Sequence, residues 1–136
     1  MQDMLSEIYN ALIQNDIIKK YLYDEDEEDF RITYYEESET RDLNKQAFLI
    51  IRPLEVPTPS LYGSDKELNI EFMYQIDVQS TKRKDVKIIQ REVRKTLEEL
   101  NLYQLRNGFD EYFKETKRFV DARRYRGHSK IYNTNY

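Results

Sequence analysis

The sequence predicts an α+β fold: a mainly antiparallel sheet of about four or five strands, an N-terminal helix and one central amphipathic helix packed on it, and an extended hairpin arm. Three observations predict it. In Glu67–Ser80 (ELNIEFMYQIDVQS), Leu68, Ile70, Phe72, Tyr74, Ile76 and Val78 fall on every second residue. Asn69, Glu71, Gln75, Asp77 and Gln79 fill the gaps, with Met73 the one apolar exception. Successive strand side chains point to opposite faces, so the pattern is that of a half-buried antiparallel strand. Second, Val86, Ile89, Val93, Leu97 and Leu100 form an apolar stripe at helical spacing over residues 85–100, opposite Lys87, Arg91, Arg94 and Glu98. Third, residues 47–52 (AFLIIR) are a continuous apolar run of strand length, which predicts a central strand.

The long strand also predicts the arm. Its alternating part spans roughly 36 Å at about 3.3 Å per residue. A chain of this length has a radius of gyration of roughly 14 Å. The strand therefore bends, or part of it stands out from the body and finds a partner. Residues 53–66 (PLEVPTPSLYGSDK) contain all three prolines. Pro57 and Pro59 favour an extended path, and residues 62–65 form a turn candidate. The segment reads as a protruding connection without structure of its own, presenting Leu61 and Tyr62. A mobile surface loop and an arm reaching a neighbouring subunit both fit it.

The remaining elements follow in order. Residues 3–22 read as one longer and one shorter helix, with Asp16 as the cap of the second. The acidic run 24–29 (DEDEED) reads as a solvated loop; it lacks the Gly and terminal Glu that a calcium-binding loop requires. Residues 30–36 alternate and read as a strand, and the polar stretch 37–45 as a loop. Asp85 is the expected cap of the central helix, and Asn101 lies near its end. Residues 102–105 suit a short strand, Asn107-Gly108 a turn, and residues 117–126 (KRFVDARRYR) the last strand. Residues 109–116 mix aromatic and charged side chains without a clear period. Residues 128–136 form a polar flexible tail.

Composition bounds the function. The chain has 136 residues, read as a single domain (1–136), with 39% hydrophobic and 35% charged side chains and a net charge of −4. That charge argues against nucleic-acid binding over the whole surface. No cysteine is present, which excludes a disulfide frame and thiolate chemistry. No apolar run approaches a membrane span and no signal-peptide pattern is seen, so no membrane role is expected and the chain reads as made in the cytoplasm. Twelve tyrosines without a tryptophan fit either interface residues or half-exposed strand positions.

Charge is unevenly distributed. Residues 114–130 carry seven basic and two acidic side chains, a net +5, which leaves −9 on the rest of the chain. Such a segment could hold phosphate backbones, or it could dock on the acidic part of an identical neighbour, as head-to-tail rings do. The ring reading is favoured, with Arg118, Arg123, Arg124, Tyr125 and Arg126 joining Leu61 and Tyr62 as candidate interface residues. No catalytic role is expected. His128 is the single histidine and sits in the expected tail, and no phosphate loop or nucleophile motif is present. Asp77 and Gln79 resemble part of a metal-dependent nuclease core, but the lysine that should follow is missing. No cofactor and no metal site are expected.

Residues 48–54 (FLIIRPL), 57–68 (PTPSLYGSDKEL), 72–80 (FMYQIDVQS) and 108–127 (GFDEYFKETKRFVDARRYRG) together resemble the tail-completion proteins of long-tailed bacteriophages, also described as tail terminators or tail-to-head joining proteins. The resemblance runs from Ile32 to Gly127, and the RRYRG ending is its most specific part. It implies a small α/β structural protein of the virion, with no catalytic residues, forming a ring, expected to be a hexamer, at the head-proximal end of the tail tube. Its implied partners are copies of itself, the tail tube protein and a head-completion or connector protein, with DNA passing through the ring without sequence-specific binding. A head-completion or connector protein of the same particle, and a small nucleic-acid-binding module using residues 114–130, are the alternatives.

Overall fold

The computed structural model describes residues 3–36, 46–54, 58–62 and 67–128, with residues 58–62 and 67–70 described through their backbone alone. The expected loop 37–45, the turn at 63–66 and the tail beyond His128 lie outside the described residues.

Two short helices open the chain. In α1 (Met4–Ile13), the Asp3 side chain accepts from the Leu5 N–H. In α2 (Asp16–Leu22), the cap is Asn15 rather than the expected Asp16: its Oδ1 accepts from the N–H groups of Ile17 and Ile18, each at 3.0 Å. A side-chain acceptor one residue earlier reaches both free donors of the first turn. Strands β1 (Tyr23–Asp24) and β2 (Asp29–Phe30) follow as an antiparallel hairpin, so the acidic run is a structured turn rather than a plain loop. Asp24 closes it by accepting from the N–H groups of Asp26 and Glu27.

The main sheet contains β3 (Ile32–Tyr34), β4 (Phe48–Pro53), β5 (Thr58–Tyr62), β6 (Glu67–Ser80), β7 (Leu102–Phe113) and β8 (Arg118–His128). Its order is β3-β4-β6-β8-β7, with β5 also paired to β6. Every pairing is antiparallel except β3 with β4. The α+β architecture is thus the one the sequence predicts, with β4 central.

Residues 30–36 are not one strand. Arg31 breaks the run and turns inward, only 7% exposed. Its Nε donates to the Ala47 carbonyl at 2.7 Å and its NH2 to the Tyr21 carbonyl at 2.6 Å. A buried guanidinium needs such acceptors, and these two tie the end of α2 to the start of β4.

Helix α3 (Arg83–Glu99) lies on one face of the sheet. It starts earlier than the sequence suggested: Lys82 is its cap, without a side-chain bond, and Asp85 sits in the first turn, where a carboxylate favours the helix dipole. Asn101 follows the helix at φ 62°, a left-handed position that suits asparagine. Gln90 is fully buried and donates to the carbonyls of Ile76 and Asp121, joining α3 to β6 and β8. The core lies between this face and the helices: Leu49, Ile51, Phe72, Tyr74, Ile76, Val78 and Tyr125 meet Ile8, Leu12, Ile18, Val86, Ile89 and Val93.

The opposite face of β6 is less solvated than its polar side chains suggest. Gln75 and Asp77 are buried, beside Phe48 and Ile50 of β4 and Val120 and Ala122 of β8. Asp77 accepts from Arg52 Nε at 2.6 Å and from Gln75 Nε2 at 2.8 Å, which compensates the buried carboxylate.

Residues 102–113 form one strand. Asn107-Gly108 makes no turn; the register shifts between Gln104 and Gly108 as a β-bulge. Gly108 has φ 128°, so the glycine that suggested a turn serves the bulge instead.

Candidate assembly surfaces

The arm is a pair of strands. Residues 58–62 pair with residues 67–71 of β6, whereas β4 pairs with residues 74–79 and β8 with residues 71–80. Among the described residues, residues 67–70 therefore pair with β5 alone and extend past β4 and β8. The expected structureless connection is corrected to a strand: extended proline-containing backbone is compatible with an edge position, where missing N–H donors cost least. Leu61 stands opposite Leu68, and Tyr62 opposite Glu67.

The structure separates the candidate residues of β8 by side-chain environment. Tyr125 is fully buried in the core, and burial pushes its phenol up to about 12. Arg118 is 4% exposed; its NH2 donates to the Gln46 carbonyl at 2.6 Å and its guanidinium lies 4.6 Å from the Phe48 ring centre. These two side chains hold the chain's own interior together and do not lie on a docking surface. Arg123 forms two bonds to the Asp121 carboxylate, at 3.0 and 3.2 Å. Arg124 Nε donates to Gln75 Oε1 at 2.9 Å, and Arg126 pairs with Glu71 at 3.2 Å. The four arginines of this strand are thus engaged within the chain, Arg123 and Arg126 by carboxylates and Arg118 and Arg124 by uncharged groups. Sequence counting missed this because the partners Asp121, Gln75 and Glu71 come into reach through strand alternation and cross-strand register. His128 lies in β8 at 4.0 Å from Glu71 rather than in a tail.

Exposed cations lie elsewhere. Lys82, Arg83 and Lys84, at the start of α3, are exposed and make no ion pair among the described residues. Three consecutive basic residues just before the expected helix start at residue 85 are legible in the sequence as a positive end.

Exposed aromatic side chains concentrate on the two outer strands. Tyr34 and Tyr35 lie at β3, while Tyr103, Phe109, Tyr112 and Phe113 lie on β7, all at least 37% exposed. Between α3 and the bulge of β7 an open polar groove of about 320 Å³ is lined by Lys87, Arg94, Arg106 and Asp110 among others. Lys87 bonds both Asp110 and Asp121 there, and Arg123 also pairs with Asp121, so both carboxylates of the groove are engaged. Asp77, the position that resembled a nuclease carboxylate, is engaged by Arg52 and Gln75. Among the described residues no three His, Cys, Asp or Glu side chains come together to hold a metal, and no helix is long and apolar enough to cross a membrane.

The geometry is that of a helix-covered α+β sheet with a projecting two-stranded arm. No family model and no curated protein matches the sequence. Among solved structures, a chain of the virion of a native gene transfer agent particle has the same fold, with a TM-score of 0.54 over 91% of this chain and 90% of that one. The two are 8% identical, so what they share is the fold.

Proposed function

We propose that this chain is a structural component of a phage-like virion, and within it the protein that caps the head-proximal end of the tail tube. In that role it ends tube polymerisation and provides the joint to the head, without chemistry of its own. The observation that carries the reading is the correspondence of fold, across nine-tenths of both chains, with a chain of a gene transfer agent virion. The resemblance of residues 32–127 to tail-completion proteins supports the finer assignment, including a ring expected to contain six copies. The arm formed by β5 and β6 supports it as well, because a strand pair that runs past its own sheet can be covered by a neighbour. The nucleic-acid reading of residues 114–130 loses support, since Arg118, Arg123, Arg124 and Arg126 have partners within the chain.

The test is polymerisation of tail tube protein with and without this chain, followed by electron microscopy. A terminator yields tubes of limited length bearing a ring at one end. Unchanged tubes, with the chain instead bound to isolated head connectors, would move the assignment to the head-completion alternative. Native mass across a protein and salt series measures the ring size.

A further inference from the structure

We infer that copies of this chain associate head to tail through opposite edges of the sheet, the β7 edge of one copy meeting the β3 edge and acidic hairpin of the next. The inference rests on the reading of the chain as a self-assembling virion component, and it names the contact. The occupant of the β7 edge is therefore a second copy.

Strand order places β3 at one lateral edge and β7 at the other. Register places two opposite charges at the same end of that sheet. Ile32 stands beside Leu49 and Phe48 opposite Gln79, so the hairpin formed by β1 and β2, which leads into β3, lies at the end where β6 finishes. There Glu25, Asp26, Glu27 and Glu28 are exposed and make no ion pair among the described residues. Ser80 stands opposite Phe119 and Phe113 opposite Arg118, so the start of α3, beyond the middle strand β6, and the turn between β7 and β8 lie at that same end. One turn into α3, Lys87 bonds Asp110 of β7 and Asp121 of β8, which sets the start of the helix on the β7 side. These carry Lys82, Arg83, Lys84, Lys114 and Lys117, all exposed, against Asp85 and Glu115.

The apolar pattern agrees with the charge. Of the exposed large hydrophobic side chains among the described residues, Tyr34 and Tyr35 belong to one edge and Tyr103, Phe109, Tyr112 and Phe113 to the other, leaving Ile17 and Leu54 elsewhere. β7 is a long edge strand, exposed at nearly every residue after Leu102, and such an edge is a template for pairing. Aromatic contacts supply area and opposite charges at matching height fix register. Two different, complementary edges make a heterologous contact, which repeats in one direction and closes into a ring when the rotation allows.

Two charge-reversed full-length variants test this: Lys82/Arg83/Lys84→Glu and Glu25/Asp26/Glu27→Lys. Sedimentation of the wild type at low salt is expected to show concentration-dependent oligomers that weaken as salt rises. Each variant alone is expected to associate about a hundredfold more weakly, because like charges then meet. An equimolar mixture of the two should regain the oligomers, which an unfolded variant cannot do. Because the chain has no cysteine, Glu27→Cys with Lys84→Cys in one chain should give a disulfide ladder on oxidation, and either substitution alone should not. Wild-type oligomers whose mass is insensitive to both reversals, or single-cysteine variants that form dimers, would overturn the contact, as would a wild type that stays monomeric to millimolar concentration at low salt. These measurements are made without tail tubes and the proposed function is read from tube length, so the failure of one is distinguishable from the failure of the other.

Discussion

Gly108 approaches Ala122 so closely that a Cβ on the glycine would lie 2.3 Å from the Ala122 carbonyl oxygen. The bulge in β7 brings them together, and φ 128° at Gly108 is a conformation that side chains rarely adopt. Gly108→Ala is expected to cost about 2–4 kcal/mol, combining backbone strain with the displacement of β8. Urea unfolding measures it; a loss below about 0.5 kcal/mol would mean that the bulge rearranges freely.

Arg31 is the buried link between α2 and β4, and its bonds to the carbonyls of Tyr21 and Ala47 have no substitute in an apolar replacement. Arg31→Met is expected to destabilise by about 2–4 kcal/mol, since it strands two carbonyls and the Asp24 carboxylate 3.8 Å away. Hydrogen exchange should show the loss first in α2 and the hairpin. Uniform exchange across the sheet would argue against a local tie.

Glu92 connects the first helices to α3. Burial alone would raise its carboxyl, but the bond from Asn15 at 3.4 Å and the charges of Lys95 and Arg91 outweigh burial and hold it below the ordinary 4.5. A depressed carboxyl contributes stability that is fully present above its unfolded value and is lost as pH falls through the folded one. The stability gap between wild type and Glu92→Gln should therefore be open at pH 7 and shrink below about pH 4.5. Paired urea titrations from pH 7 to pH 3 check it, and a gap that widens in acid would reverse the assigned sign.

Tyr125 gives the opposite end of the pH scale. Burial raises its phenol from 10.0 to about 12, so the stability it contributes is present below pH 10 and is lost as pH rises toward 12. Its hydroxyl has no hydrogen-bond partner among the described residues. Tyr125→Phe should be within about 0.5 kcal/mol of wild type at pH 7 and should unfold less readily above pH 10. A large loss at neutral pH would show that the hydroxyl is bonded after all.

Several elements were legible because their signal is local. The alternation of Glu67–Ser80, the stripe of α3 and the apolar run of β4 each repeat a period that only one backbone conformation satisfies. Other elements were not, because their cause is distant. β7 shows no clean period: its second face meets solvent, and its bulge shifts the alternation at Gly108. The strand character of Thr58–Tyr62 depends on pairing with β6, which outweighs what Pro59 suggests by itself.

The charge reading divides in the same way. Sequence alone determined the α+β class, the central strand, the amphipathic helix and the presence of a basic C-terminal segment. Tertiary structure decided which of those charges remain available. Alternation and cross-strand register set Arg123 against Asp121, Arg124 against Gln75 and Arg126 against Glu71, and buried Arg118 and Tyr125. It left Lys82, Arg83 and Lys84 exposed at the start of α3, beyond the end of β6, and the acidic hairpin exposed beside the β3 edge. The physical reason is range: backbone periodicity is fixed by neighbours a few residues apart, whereas the compensation of a charge depends on which distant strand the fold brings beside it.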